Sequence, residues 1–148
     1  MPAYSLFADH YQFYLFDELA LPPYPEGITD TDVQRQFKAV PNLIAVYTDD
    51  AAECEVTIEC CEGPPQLDLE DWAHVVEGPL SIPCGRVVLA SPSSALREAP
   101  RIVVLPGAYR VRVASCGIGP SALRYSVWLW PSTVAGVEVL KQATPHAA

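Results

Sequence analysis

Basic residues are nearly absent from the first 80 positions of this 148-residue chain, where Arg35 and Lys38 stand against sixteen Asp and Glu, a balance of −14. That scarcity argues against direct nucleic-acid binding, because phosphates require a basic footprint. No window approaches the roughly 18–20 uninterrupted apolar residues of a spanning helix. The opening MPAYSLFADHYQ lacks both a basic n-region and a long apolar stretch. A soluble, unexported, cytoplasmic protein with no membrane partner is expected. The five cysteines (Cys54, Cys60, Cys61, Cys84, Cys116) are odd in number and show neither a CxxC nor a Cys/His ladder at zinc spacing. Reduced, mostly buried thiols are therefore expected in place of a disulfide framework or a metal site, and no cofactor is implied.

What is present suits one globular domain. Half of the residues are apolar, which excludes wholesale disorder, and a chain of this length buries a single core. No repeat, low-complexity block or linker divides it. Residues 1–148 therefore read as one domain with a tail that frays from about 142. Residues 81–148 reverse the charge, with two acids (Glu98, Glu138) against seven bases, a balance of +5. Two readings of the asymmetry stay open. It marks electrostatic recognition of a partner, or it reflects pairing of acidic and basic strands in one sheet, with Glu55 or Glu59 opposite Arg110 or Arg112.

Period-two patterning dominates. Cys54, Val56, Ile58 and Cys60 alternate with Glu53, Glu55, Thr57 and Glu59, which predicts a strand with one buried and one acidic face. Tyr109, Val111 and Val113 alternate with Arg110 and Arg112. Val103–Leu105, this strand and Tyr125–Trp130 read together as an antiparallel meander. Phe7–Phe16 is expected to be the first strand, Leu43–Thr48 another. Trp72–Ile82 and Arg86–Ala90 read as hairpin partners around Pro83-Cys84-Gly85, and Val137–Leu140 as a short last strand. Asp30 and Asp32 near Thr29–Asp32 N-cap candidates predict one short helix over Thr31–Ala39, stopped by Pro41. Glu62–Asp71 and Ser91–Pro100 are loops. The expected fold is all-β, a two-sheet, mainly antiparallel β-sandwich with one short helix.

Candidate chemistry is sparse. His10 or His74 with a cysteine would make a nucleophile pair, but no local signature accompanies one, and cysteines on apolar strand faces are usually packing. His146 lies in the tail. GIGPS at 117–121 lacks the G-x-S-x-G order and the helix that a nucleophile elbow needs. Asp68, Glu70 and Asp71 lack the glycine-bearing twelve-residue pattern of a calcium loop. No complete catalytic set can be assembled, so no enzyme is expected. Two surfaces remain. One is acidic, made of Asp49, Asp50, Glu53, Glu55 and Glu59; the other is formed by Arg110, Arg112, Trp128 and Trp130 if both pairs face outward.

FADHYQFYLFDE near the start, WAHVVEGPLSIPCGRVVL in the middle, and LPGAYRVRV followed by YSVWLWP resemble a group of small bacterial β-sandwich proteins similar to the competence-associated DNA-uptake nuclease inhibitor, the ComJ family. The resemblance touches about two-thirds of the chain. In that group the first-strand motif reads Tyr-His-Gln-Phe, whereas Asp9-His10-Tyr11-Gln12-Phe13 exchanges His and Tyr. A one-place shift in a strand moves a side chain to the opposite face, so no role is carried over to His10. The resemblance implies a protein that inhibits or binds another protein; together with the acidic first half and the lack of a catalytic set, the expectation is a non-enzymatic protein-binding module, an inhibitor of or immunity protein against a basic nuclease or toxin. The runner-up is a small-ligand or carbohydrate-binding sandwich using Trp128 and Trp130, and homo-oligomerisation is left open.

Overall fold

The computed structural model describes residues 3–8, 11–20, 27–48, 53–92, 94–119 and 122–143. In chain order the elements are β1 (Ala3–Phe7), β2 (Gln12–Asp17), α1 (Asp30–Arg35), β3 (Phe37–Val40), β4 (Leu43–Tyr47), β5 (Glu53–Cys60), β6 (His74–Ile82), β7 (Arg86–Ala90), β8 (Arg101–Val103), β9 (Gly107–Gly119), β10 (Ala122–Pro131) and β11 (Glu138–Lys141). They form a six-stranded sheet of order β1-β5-β10-β9-β6-β11 and a five-stranded sheet of order β3-β4-β2-β7-β8. Every pairing is antiparallel except β5 with β10, which runs parallel from Ala122 opposite Glu53 to Leu129 opposite Cys60. The fold is thus the expected two-sheet sandwich with one short helix.

The sheets meet through the inward positions of each strand. Phe13 and Leu15 on β2, Ile44 and Val46 on β4, and Val87 and Leu89 on β7 pack against Cys54, Val56, Ile58, Val111, Val113 and Tyr125 of the larger sheet. The Phe13 and Tyr125 rings meet edge to face at 4.9 Å across that interior. On β5 the alternation holds through Ile58, with Glu53 and Glu55 outside. Cys60 departs from it. It is the exposed final residue of the strand, beyond the last β5 contact with the core. The five-stranded sheet also carries a second apolar cluster, with Tyr14, Phe16, Ala45, Tyr47, Val88 and Ala99. β2 is therefore buried on both faces, which explains aromatics at both parities of its sequence.

Four further expectations are corrected. Phe7–Phe16 is not one strand, because β1 and β2 belong to different sheets and Tyr11 takes a left-handed φ of 61° where the chain crosses. β6 and β7 are not a hairpin either, since the Pro83-Cys84-Gly85 turn carries the chain from one sheet to the other. Buried Asp17 holds that turn by accepting the Cys84 N–H at 3.1 Å, and Gly85 at φ +77° leaves only 2.8 Å between a would-be Cβ and the Val104 carbonyl. By the same logic β8 joins β7 rather than opening a meander with β9, while β9 and β10 do form the expected hairpin.

The helix is the fourth correction. A capping box between Thr29 and Asp32 starts it, but it closes at Gln36 in the left-handed region, φ 57°. Phe37 is the reason. It is 1% exposed, and extending Phe37–Val40 lets β3 pair with β4. Past the last strand, Gln142 donates to the Gln34 carbonyl and the Ala143 N–H to His74 Nδ1; the expected frayed tail otherwise lies outside the described residues.

The β5 register gives a direct test. Val56→Asp places an unpaired charge in the core, and should cost more than about 3 kcal/mol in urea unfolding. Glu55→Gln should stay within about 0.5 kcal/mol of the parent.

Candidate partner-binding face

The outer surface of the six-stranded sheet divides into two halves. On one, β5 presents Glu53, Glu55 and Glu59, of which Glu53 and Glu55 are exposed and Glu59 half-buried. Phe7 of β1 stands beside Glu53 in register and is 48% exposed. Arg124 of β10, also exposed, lies directly across from Glu55, and the Thr57 and Ser126 hydroxyls share a 3.0 Å hydrogen bond between them. Asp49 and Asp50, the other two acids assigned to this face, lie outside the described residues, as do His10 and His146.

The other half is covered. Arg110 and Arg112 project from the outer side of β9, but both are buried, and each Nε donates to a different oxygen of Glu77 on β6, at 3.1 and 2.9 Å. Arg112 also donates to the Pro65 carbonyl at 2.9 Å. Arg110 reaches the carbonyls of Val134 and Gly136. These contacts draw the 62–67 loop and the segment after β10 over the sheet. Trp130, 5% exposed, lies under the Arg112 guanidinium at 5.1 Å. Trp128 is half-buried, with the Trp72 ring set edge-on at 6.1 Å. Arg110, Arg112 and Trp130 therefore do not form an exposed groove.

The cross-strand neutralisation anticipated from charge patterning exists with other partners. β5 pairs with β1 and β10, not with β9, so Arg110 and Arg112 take Glu77, and Glu55 faces Arg124. Glu77 was not singled out in the sequence. The signal was present, because WAHVVEGPL puts one acid in an apolar strand, and such an acid needs a buried cationic partner.

Nucleophilic chemistry finds little support among the described residues. Burial and the neighbouring Glu53 charge push the Cys54 thiol up to about 11. Burial and then Glu59 raise those of Cys60 and Cys61. His74 is buried, with Nε2 at 2.6 Å from the Arg35 carbonyl and Nδ1 accepting from Ala143. Both ring nitrogens are thus engaged by the backbone, in the neutral tautomer protonated on Nε2. Cys116 shares a cavity of about 480 Å³ with His74, Ser115 and Tyr125, but among the described residues no hydrogen bond joins its thiol to the imidazole. Asp68 caps a 3₁₀ turn over Leu69–Asp71 by accepting the Glu70 N–H. Among the described residues no three His, Cys, Asp or Glu side chains converge on a metal position, and no helix is long and apolar enough to cross a membrane.

The arrangement is that of an all-β sandwich offering one open acidic half-face and no assembled catalytic set among its described residues. The same fold is found in the crystal structure of ComJ from Bacillus subtilis, an inhibitor of the DNA-degrading activity of NucA. The two superpose with a TM-score of 0.74 over 89% of this chain and 96% of that one, at 13% identity. A second similar structure is that of crocagin biosynthetic gene J, with a TM-score of 0.64, 16% identity, and coverage of 88% and 96%. The chain has a ComJ-like fold. No protein-family profile matches it, and no curated protein matches its sequence.

Two outcomes check this description. Removing the shared carboxylate by Glu77→Gln strands two buried guanidinium groups, and should lower unfolding free energy by about 3–5 kcal/mol. At pH 8 a thiol with the Cys54 value is ionised in about one molecule in a thousand, so Cys54 should resist an aromatic disulfide reagent until the protein unfolds.

Proposed function

We propose that this chain is a non-enzymatic protein-binding module, an inhibitor of or immunity protein against a basic nuclease or toxin, acting in the cytoplasm. The observation that carries the reading is the open acidic half-face. Glu53 and Glu55 stand exposed on β5, while Arg110 and Arg112 of the same sheet are buried against Glu77 and Lys141 lies on β11 at the far edge. Carboxylates held at strand spacing on a rigid sheet can substitute for phosphates before a basic protein. Such a charge arrangement accelerates encounter more than it tightens the final complex. Support also comes from the fold shared with an inhibitor of NucA, and five free cysteines suit a reducing compartment.

The carbohydrate-binding alternative loses support because Trp130 is covered and Trp128 is flanked by Trp72. A hydrolase is disfavoured by the engaged ring of His74 and the raised thiols of Cys54, Cys60 and Cys61.

Affinity capture on the tagged protein from its native lysate tests the reading. A basic partner should be retained at low salt. Its association should slow markedly at 0.15 M, where the Debye length falls to about 8 Å. Reversing Glu55 and Glu59 to Lys should abolish capture without unfolding the domain. An acidic partner, or binding indifferent to both salt and these substitutions, would refute the acidic-face mechanism.

A further inference from the structure

Sheet edges expose unpaired backbone groups, and proteins commonly guard them with charged side chains. Three edge strands here are guarded, β11 by Glu138 and Lys141, β3 by Lys38 and β8 by Arg101. The fourth, β1, reads AYSLF and carries no charge. Among the described residues no strand lies beyond it, and no side chain or loop hydrogen-bonds to its outer rim. Its outward positions are Ala3, Ser5 and Phe7, all exposed, and Ser5 and Phe7 are paired with Glu55 and Glu53 of β5.

We propose that β1 is a docking edge on which an extended segment of the partner, with Lys or Arg at alternate positions, adds as a seventh strand. The inference rests on the acidic-face reading and specifies how that face is engaged. Charge complementarity selects the occupant. A strand added to β1 lies about 10 Å from β5, two inter-strand spacings. The small side chains of Ala3 and Ser5 leave a path along which a long basic side chain reaches the Glu55 carboxylate. An apolar residue of the segment can rest against the exposed Phe7 ring. A second copy of this chain fits less well. Pairing β1 with β1 adds two acidic β5 rows to one sheet and supplies no basic residue between them.

The probe is a seven-residue peptide of alternating lysine and valine, compared at low salt with the same peptide N-methylated along one edge and with a glutamate–valine version. Binding of the first should protect β1 amides from hydrogen exchange. At least tenfold of its affinity should disappear with N-methylation, with Ser5→Pro, and with Glu53→Lys combined with Glu55→Lys, and the acidic peptide should not bind. Because N-methylation alters only the probe, it remains decisive even if Ser5→Pro disturbs β1. Equal binding of the N-methylated peptide, or millimolar peptide without β1 protection, overturns strand addition while leaving the acidic-face reading to its own test. Sensitivity to N-methylation without sensitivity to the charge reversals sinks the basic occupant and the acidic-face reading together. Self-association that Ser5→Pro abolishes and the peptide does not compete for identifies a second copy as the occupant, and also overturns the proposal.

Discussion

The Glu77 carboxylate, shared between Arg110 and Arg112, decides which part of the larger sheet meets solvent. One acid and two bases leave a net positive charge in a site nearly closed to water, and burying charge is costly unless each donor finds an acceptor. The Nη1 groups of the two arginines donate to the carbonyls of Pro65, Val134 and Gly136. Those carbonyls belong to irregular segments, which are thereby drawn over β9 and β6. The cover that buries the arginines leaves β1 and β5 bare. A single buried ion cluster thus produces the closed half of the face and withdraws two of the sheet's four bases, Arg110 and Arg112, from the surface.

A second constraint is how the chain passes between sheets. The step from β1 to β2 uses the left-handed backbone at Tyr11, and the step from β6 to β7 uses Gly85 with buried Asp17 receiving the Cys84 N–H. β5 lies beside β10, the one parallel pair among the described residues, and β1 stands at the end of its sheet. The open edge is a consequence of connectivity. Had Phe7 continued directly into Tyr14, β1 would have gone to the other sheet, and the edge beside Glu53 and Glu55 would have been the charged β5 itself.

These constraints show why the sequence was readable in some places and silent in others. β5 was legible because one face is wet and the other dry, so period two survives in the residue pattern. β2 was harder to place, since burial on both faces erases alternation. The turn signals at Pro83-Gly85 and Pro106-Gly107 marked strand ends, but both prove to be steps between sheets, and residues of this kind serve hairpins and such steps alike, so only long-range packing separates the two. Phe37 illustrates tertiary override, where a helix-compatible segment extends because a deep apolar site takes its ring. The partnership of Glu77 with two arginines more than thirty positions away had no local signature beyond a lone acid in an apolar run.

The candidate face shows the same division. Its composition was visible in the first 80 residues, where acids so outnumber bases, and the outward parity of Glu53 and Glu55 followed from alternation. Its boundary was not, because that depends on which basic residues are consumed internally. A ComJ-like scaffold at 13% identity constrains strand order far more strongly than it constrains surface residues, which tolerate substitution at little cost in stability. The proposed binding specificity would therefore rest on what this chain itself exposes. Here an uncharged edge strand lies beside an acidic row, and the row does more than attract. Under the proposed strand addition it would make an open edge selective for a basic segment, since an acidic or neutral one would meet repulsion or gain nothing from Glu53 and Glu55. Selectivity of the edge and charge of the face are then two aspects of one arrangement, fixed by the pairing of β1 with β5.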